Sequence, residues 1–232
     1  MKNVIVIMPA YNAEKTLART CEDMPKVYDE IVVCDDASSD GTHEESLRLG
    51  LTTIRHERNK GYGANQKTLY DYAVSRGASI VIMVHPDNQY TTACLPDMIS
   101  KIEKGASLVI GTRMQTARKN RMPLWKYASN RLLTTLQNIT FGTSLSEFHS
   151  GLRAYDTKAL RMLPYHGFSD DFVFDSEMIA SMRAYGFSIQ EVPTECFYND
   201  SVSSINFQRS LSYGMSTLKT LLLYGFGYYG PN

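Results

Sequence analysis

The sequence predicts an α/β fold with a mostly parallel, twisted sheet and flanking helices. Three observations carry this. Apolar, β-branched runs of strand length alternate with segments of helical character through the first half of the chain. Glycines stop two of the helical segments. Polar and charged residues gather just after the strand runs, at the edge where open α/β sheets bind ligands.

In chain order, Val4-Ile5-Val6-Ile7-Met8 is a buried strand, and Asn12 is placed to cap a helix over 13–25, with Lys15 and Arg19 on its wet face. Glu30-Ile31-Val32-Val33-Cys34 is a second strand. A helix capped by Ser39 or Asp40 runs to Leu49 and is stopped by Gly50. Leu51 to Arg55 forms a third strand, and Gly63 to Arg76 a helix stopped by Gly77. Ser79 to Val84 is the fourth strand, 93–104 a helix and Leu108-Val109-Ile110 the fifth strand. This alternation implies βαβ units, and right-handed crossovers place their strand-end loops on one edge. Beyond 112 the rhythm changes: 113–123 reads as a loop, 124–140 as an amphipathic helix, and Ser188-Ile189-Gln190-Glu191-Val192 as a late strand. There is no Gly/Ser/Pro-rich linker or internal repeat, so residues 1–232 are assigned to one domain, with a first half at 1–112, a second at 113–200 and a helical C-terminal segment at 201–232.

The chain of 232 residues is 43% apolar and 21% charged, with a formal net charge of zero, so bulk charge gives no case for nucleic acid. The cysteines Cys21, Cys34, Cys94 and Cys196 show neither a CxxC pair nor zinc-ligand spacing and read as reduced core thiols, which points to the cytoplasm. No signal-peptide pattern is present, and no apolar run is long enough to span a bilayer. The segment Leu218 to Tyr229 is apolar and aromatic but Gly-interrupted. It can pack on the domain, lie at a membrane interface or meet a partner segment, with Arg209 and Lys219 the nearby cations.

The most informative segment is Ile80-Val81-Ile82-Met83-Val84-His85-Pro86-Asp87-Asn88-Gln89-Tyr90, in which a strand delivers His85, Asp87 and Gln89 to the ligand edge. That layout suits a divalent cation, Mg²⁺ or Mn²⁺, held against a diphosphate. After strand one, Pro9-Ala10-Tyr11-Asn12-Ala13-Glu14 lacks GxGxxG, which argues against a dinucleotide-binding dehydrogenase. After strand two, the adjacent Asp35 and Asp36 exceed what helix capping needs and can accept hydrogen bonds from a base or ribose. After strand three, Lys60 lies beside Gly61 and Gly63, where an anion can approach. Between Glu103 and Glu147 there is no acidic residue, but Lys104, Arg113, Arg118, Lys119, Arg121, Lys126 and Arg131 are present, a segregation that suits an anionic substrate.

Taken in order, MPAYNAEKTL, DEIVVCDDASSDGT, NKGYGANQKTL, VIMVHPDNQY, GTR (111–113) and SGLRAY (150–155) resemble the family 2 glycosyltransferases, with FDSEMIASMRAYGFSIQEVP (174–193) similar to a later stretch of that family. The dolichyl- or polyprenyl-phosphate hexose synthase branch is the most similar. The resemblance implies a Rossmann-like, GT-A type nucleotide-sugar transferase fold and inverting transfer of a hexose from a nucleotide-diphosphate sugar such as a UDP- or GDP-hexose. It divides the chain into a nucleotide-sugar-binding half and an acceptor half. Carried over by position, Pro9, Tyr11, Glu14, Asp35 and Asp36 would hold the nucleotide, with Lys60 near its phosphates. The family's Asp-x-Asp metal motif reads His85-Pro86-Asp87 here: Asp87 and Gln89 match, and His85 replaces the first carboxylate. Imidazole tolerates Mn²⁺ better than Mg²⁺, so His85 is either a ligand or a hydrogen-bonding group for sugar or phosphate.

Catalysis would then rest on Asp87, on Arg113 at the leaving diphosphate and on Asp175, which falls where hydroxyl-acceptor members carry a base; Asp170 and Asp171 are its rivals. Arg118, Arg131, Arg153, Glu147, Glu177 and Arg209 are the candidates for the acceptor or its phosphate. A polyprenyl phosphate acceptor, already anionic, needs no base, whereas a saccharide hydroxyl does. A nucleotide-sugar-binding protein without catalysis is the reading from another class. The expected location is the cytoplasm, with contact at the cytoplasmic face of a membrane as one form.

Overall fold

The structure, a computed structural model, describes residues 3–114, 122–197 and 207–231, with the side chains of Lys126 and of residues 207–210 outside the description. Seven strands form one sheet: β1 (Val4–Ala10), β2 (Glu30–Asp35), β3 (Thr52–Arg55), β4 (Ile80–Met83), β5 (Leu108–Thr112), β6 (Arg153–Asp156) and β7 (Ile189–Pro193), in the order β3-β2-β1-β4-β6-β5-β7. The helices are α1 (Glu14–Glu22), α2 (Thr42–Arg48), α3 (Tyr62–Ser75), α4 (Leu95–Glu103), α5 (Leu124–Phe141), α6 (Thr157–Met162), α7 (Phe174–Ala184) and α8 (Phe207–Gly225). The expected mostly parallel sheet with flanking helices is present.

Strands β1, β2 and β4 are buried along nearly their whole length because both sheet faces are covered. Alternate residues feed two cores. Ile5, Ile7, Val32, Val81 and Met83 pack with Leu69, Phe174 and Met178 of α3 and α7. Val4, Val6, Met8, Val33 and Ile82 pack on the other face with Leu17, Leu95 and Met98 of α1 and α4. Slipping a strand by one residue would exchange these faces, so the register is strongly specified.

β6 is antiparallel to both β4 and β5, and the sequence reading did not anticipate it. Only four residues long, with a charge at each end, it lacks the apolar run that marks the other strands. Its direction matters for function. Met83 at the end of β4 is paired with Arg153 at the start of β6, and Ile110 near the end of β5 is paired with the same residue. The segments 84–90, 111–113 and 150–153 are thereby brought to one edge, together with the ends of β1 and β2.

Two expected caps are corrected. The N-cap of α1 is Ala13, without a side-chain cap, because Asn12 adopts a left-handed φ of 53° and turns its side-chain oxygen to the N–H and hydroxyl of Ser39. α2 begins at Thr42, after Gly41. Asp40 accepts from the Thr42 N–H at 3.1 Å and from the Glu14 N–H at 3.2 Å, so it joins two loops instead of capping one helix.

Cys34, Cys94 and Cys196 are buried free thiols; burial pushes the Cys34 thiol up to about 12. Among the described residues no helix is long and apolar enough to cross a membrane. Within the C-terminal segment, Leu221 and Tyr229 are buried against the domain, and Leu222, Phe226 and Tyr228 are exposed.

Candidate active site

The site begins at the end of β4. The Asp87 carboxylate accepts from the Gln89 N–H at 3.0 Å, closing an Asx turn in which Asn88 has a φ of 52°. Gln89 and Thr91 then continue as main-chain partners of 195–197, and Tyr90 forms a bridge with Cys196. This pins the far side of the turn and leaves Asp87 half-buried at its tip.

His85 is held on two sides. Its ring stacks on Tyr62 with centroids 5.4 Å apart and planes within 7°. Its other neighbour is Gly151, where any Cβ would collide with Cδ2 and Nε2 of the imidazole. Tyr62 donates its hydroxyl hydrogen to Asp175 Oδ2 at 3.0 Å. Burial, and then the charge of Asp175, pushes the Tyr62 phenol well above its ordinary value, so it keeps that hydrogen. The 3.0 Å contact between the Tyr62 oxygen and His85 Nε2 is therefore satisfied when Nε2 carries the hydrogen and donates. Exchange of Gly151 for alanine must displace the imidazole; kcat is expected to fall at least about tenfold, with a small change in melting temperature. Steady-state rates and a thermal melt check this, and an unchanged kcat would show that the position of the ring is immaterial.

Asp175 lies at the other end of this chain of contacts. Oδ1 accepts from Gln66 Nε2 at 3.0 Å and is 3.2 Å from Arg153 Nη1. Arg153 is fully buried and also donates to the carbonyls of Ser150, Phe148 and Asp175. The line His85–Tyr62–Asp175–Arg153 thus ties the end of β4 to α3, α7 and β6.

A second cluster stands beside it. Arg113 donates from its main-chain N–H and Nε to the two oxygens of Glu147, at 3.1 and 2.8 Å, and from Nη2 to the carbonyl of His149. Its guanidinium lies 5.6 Å from the Tyr90 ring centre. Asn130 of α5 donates to the same buried Glu147. The Nδ1 of His149 meets the Tyr213 hydroxyl of α8 at 2.8 Å, and Nε2 is shut off from solvent with no partner among the described residues. Burial, then Arg113 and Arg153, pushes this imidazole down to about 3. The folded chain therefore keeps His149 neutral, and the unfolded chain takes up the proton first, near 6.5. Stability is expected to fall as pH drops from about 6.5 toward 3. Urea unfolding at about pH 7 and about pH 5 should show a smaller loss for His149→Phe than for the natural chain.

At the ends of β1 and β2 the loops interlock. The N–H groups of Asn12 and Ala13 donate to the hydroxyls of Ser38 and Thr42, and the Glu14 carboxylate accepts from the Gly41 N–H. Asp35, fully buried, accepts from the Ser38 N–H and faces Arg55 at 3.2 Å. Asp36 takes His56 Nδ1 at 2.7 Å and the N–H groups of Lys60 and Gly61, each at 2.9 Å. Pro9 is buried within β1, whereas Tyr11 and Lys60 are exposed on the rim. The glycines after Lys60 serve the chain's own packing: Gly63 donates to the carbonyl of Asp170, and a Cβ at Gly61 or Gly63 would strike the carbonyl of Asp170 or Ser169.

The Glycosyl transferase family 2 model matches residues 5–163, more than half of the chain. The chain belongs to glycosyl transferase family 2. It is 28% identical over 223 residues to the UDP-N-acetylglucosamine–dolichyl-phosphate N-acetylglucosaminyltransferase of Methanococcus voltae, covering 86% of this chain and 87% of that one. It is 26% identical over 204 residues to the polyprenol monophosphomannose synthase of Mycolicibacterium smegmatis, covering 83% and 76%. An uncharacterized protein of Methanocaldococcus jannaschii is 30% identical over 204 residues, with 85% and 82% covered. Glucosyl-3-phosphoglycerate synthase from Mycobacterium tuberculosis, solved with Mn²⁺, UDP-glucose and phosphoglyceric acid, aligns with a TM-score of 0.74 at 17% identity over all of this chain and 81% of that one, which establishes the GT-A type fold.

Within this glycosyltransferase, the residues singled out from sequence fall into three sets. His85, Asp87, Gln89, Arg113 and Asp175 come together along the edges of β4, β5 and β6. Tyr11, Glu14 and Lys60 line the loops after β1, β2 and β3, with Pro9, Asp35 and Asp36 holding those loops from within. Arg153, Glu147 and Glu177 are engaged inside the fold: Glu177 accepts from the Ser169 N–H and the Tyr229 hydroxyl. Arg131 is exposed near the carbonyl of Ser146. Arg118 and the side chain of Arg209 lie outside the described residues. Of the rival acids, Asp170 pairs with Lys67 of α3 and ties its loop to that helix, and Asp171 accepts from the Phe172 N–H within the loop itself. Tyr62 and Gln66, which sequence reasoning passed over, occupy the centre of the site. Their only signal was a tyrosine between two glycines at the start of a helix.

Among the described residues no three His, Cys, Asp or Glu side chains cluster as a closed metal cage. The donor set at the end of β4 is one carboxylate with an oxygen left over, one amide and one imidazole. Such a sparse set fits a cation that takes most of its ligands from a substrate diphosphate and water.

Proposed function

We propose that this glycosyltransferase moves a hexose from a UDP- or GDP-linked donor to a polyprenyl phosphate, with inversion, in a reaction that depends on Mg²⁺ or Mn²⁺. The carrying observation is Asp87, half-buried at the end of β4 with one carboxylate oxygen spent on its own turn and the other without a partner among the described residues. Asp87 would hold the cation, with Gln89 and His85 as further donors. When bound, the cation supplies neutralisation of the charge that develops on the departing diphosphate. Arg113, oriented by Glu147, adds a fixed positive charge on the same edge. Tyr11, Glu14 and Lys60 offer the exposed groups of the nucleotide side, and Asp35 and Asp36 keep their loops in place.

The names of the relatives in Methanococcus voltae and Mycolicibacterium smegmatis support a polyprenyl-type phosphate as acceptor. So does the state of Asp175, whose oxygens are engaged by Tyr62, Gln66 and Arg153. A phosphate oxygen attacks as an anion and asks nothing of that residue. The reaction would take place at the cytoplasmic face of a membrane, with the single domain of 1–232 divided into donor and acceptor halves as above.

A thermal-shift series tests the donor side. UDP, GDP, dTDP and CDP are each added with and without Mn²⁺ or Mg²⁺. One nucleotide is expected to raise the melting temperature by several degrees only when metal is present, since a ligand that binds the folded state stabilises it by mass action. No shift with any of the four would remove the donor assignment. Radiolabelled sugar transfer to a polyprenyl phosphate, compared with a free saccharide, then tests the acceptor.

A further inference from the structure

The outward face of α8 is apolar where a solvated helix should be polar. Thr217, Thr220 and Leu221 are buried, and Tyr213 and Thr217 meet Ser176 of α7, so one side of the helix packs on the domain. The opposite side carries Leu211, Met215, Lys219 and Leu222 at spacings of four, four and three residues, a single stripe on the helix that Phe226 continues in the turn just past its end. Leu222 is 67% exposed and Phe226 85%. The neighbouring α5 repeats the pattern: Asn130, Thr134 and Gln137 face inward, and Leu132 and Ile139 outward, Ile139 being 74% exposed. A groove lined by Leu136 and Thr140 of α5 and by Leu218, Leu221 and Leu222 of α8 lies between the two helices. Scattered exposed apolar residues are ordinary, but an apolar stripe on one helix, with exposed Leu132 and Ile139 on its neighbour and an apolar groove between the two helices, is not.

The charges around this surface point to its occupant. Neither α5 nor α8 contains an acidic residue, and residues 201–232 contain none at all. The described cations on these helices, Arg131 and Lys219, are exposed, and Lys219 stands within the apolar stripe itself. An apolar stripe flanked only by cations matches the boundary between acyl chains and anionic headgroups, where a lysine buries its methylenes and keeps its ammonium in water.

We propose that the joined outer faces of α5 and α8 dock on an anionic lipid bilayer and lie in its interface. The inference supplies the location that a lipid-linked acceptor requires, and in that respect it rests on the reading above. The surface is also wired to the site: Tyr213 of α8 contacts His149, whose carbonyl accepts from Arg113, and Asn130 of α5 donates to the glutamate that orients the same arginine. A bilayer that holds these helices therefore holds the supports of Arg113.

Flotation with vesicles of phosphatidylcholine containing about 30% phosphatidylglycerol, and no polyprenyl phosphate, tests the surface apart from the acceptor. The natural chain is expected to float with these vesicles, less with pure phosphatidylcholine, and less again when salt rises from about 0.1 M to about 0.5 M. The double variant Met215→Glu, Leu222→Glu changes only exposed positions. It should weaken binding at least about tenfold, with an unchanged melting temperature and unchanged transfer to a detergent-dispersed acceptor. Lys219→Glu alone should weaken binding to the anionic vesicles and reduce, without abolishing, its dependence on salt. The proposal is overturned if the natural chain does not float, if the double variant floats equally well, or if light scattering shows a dimer that the double variant dissolves, which would assign the stripe to a second copy. Vesicle binding without sugar transfer to any polyprenyl phosphate would overturn the acceptor reading and leave the docking surface standing.

Discussion

Asp87→Ala is expected to lower kcat by on the order of a thousandfold while the protein stays folded. The size follows from the role proposed for the carboxylate. A cation that neutralises a leaving diphosphate contributes several kcal/mol to the transition state, and each factor of ten in rate is about 1.4 kcal/mol. The small effect on stability follows from the surroundings: Asp87 is half-buried and accepts one main-chain hydrogen bond, that of Gln89, whose loss costs about 1 kcal/mol. Asp87→Asn separates the two contributions. The amide keeps the acceptor for the Gln89 N–H and thus the turn, but it gives up the charge that binds a cation. If the turn were what matters, Asn would be nearly as active as Asp. If ligation matters, Asn should resemble Ala, and the metal-dependent part of the nucleotide thermal shift should vanish in both. Activity within tenfold of the natural chain in either variant would remove the metal assignment. His85→Asn should fall between, because His85 keeps a hydrogen bond to Tyr62 and a stacking contact whether or not it reaches the metal.

The part of the candidate site at the ends of β1, β2 and β4 was legible in the sequence for a physical reason. Parallel strands buried on both faces are continuous apolar runs, so their ends are sharp, and in an open α/β sheet those ends are where ligands bind. Asp87 could be placed from Ile80 to Met83 alone. The meaning of Asp35, Asp36 and the glycines of 61–63 was less legible, because a carboxylate that grips backbone N–H groups and one that grips a ribose have the same local sequence. Asp36 binds Lys60 and Gly61, and Gly63 makes room for Ser169 and Asp170, the latter across more than a hundred residues, which no local pattern reports. The part built on β6 and α7 was obscured by β6 itself. A four-residue strand that begins with a fully buried arginine has neither the composition nor the alternation of a strand, and its antiparallel direction is what brings Gly151 to His85 and Arg153 to Asp175. The family resemblance identified Gly151 and Arg153 as a motif, but not that the one makes room for an imidazole and the other is the core of an ion pair.

That ion pair gives the second large effect. Asp175→Asn is expected to destabilise the protein by roughly 3 kcal/mol or more, because it leaves a buried guanidinium without its counter-charge. Arg153 is fully buried and Asp175 nearly so; the remaining acceptors around the arginine are the carbonyls of Ser150, Phe148 and Asp175, which carry no net charge. For a chain of this length the change corresponds to a melting temperature lower by about 6–12 °C. Arg153→Met in the same background should recover much of the loss, since replacing both members of a buried pair costs far less than removing one. The double variant therefore separates electrostatics from packing: a loss that is additive in the two substitutions would mean that the pair is not coupled. It also makes Asp175 a usable test of chemistry. A rate for Asp175→Asn measured well below its melting temperature reports on catalysis alone. If the acceptor is a phosphate, that rate should stay within about tenfold of the natural chain, because its nucleophile is already ionised. A fall of about a thousandfold or more with the fold intact would mean that Asp175 takes a proton despite its three donors, and the acceptor would then have to be a hydroxyl.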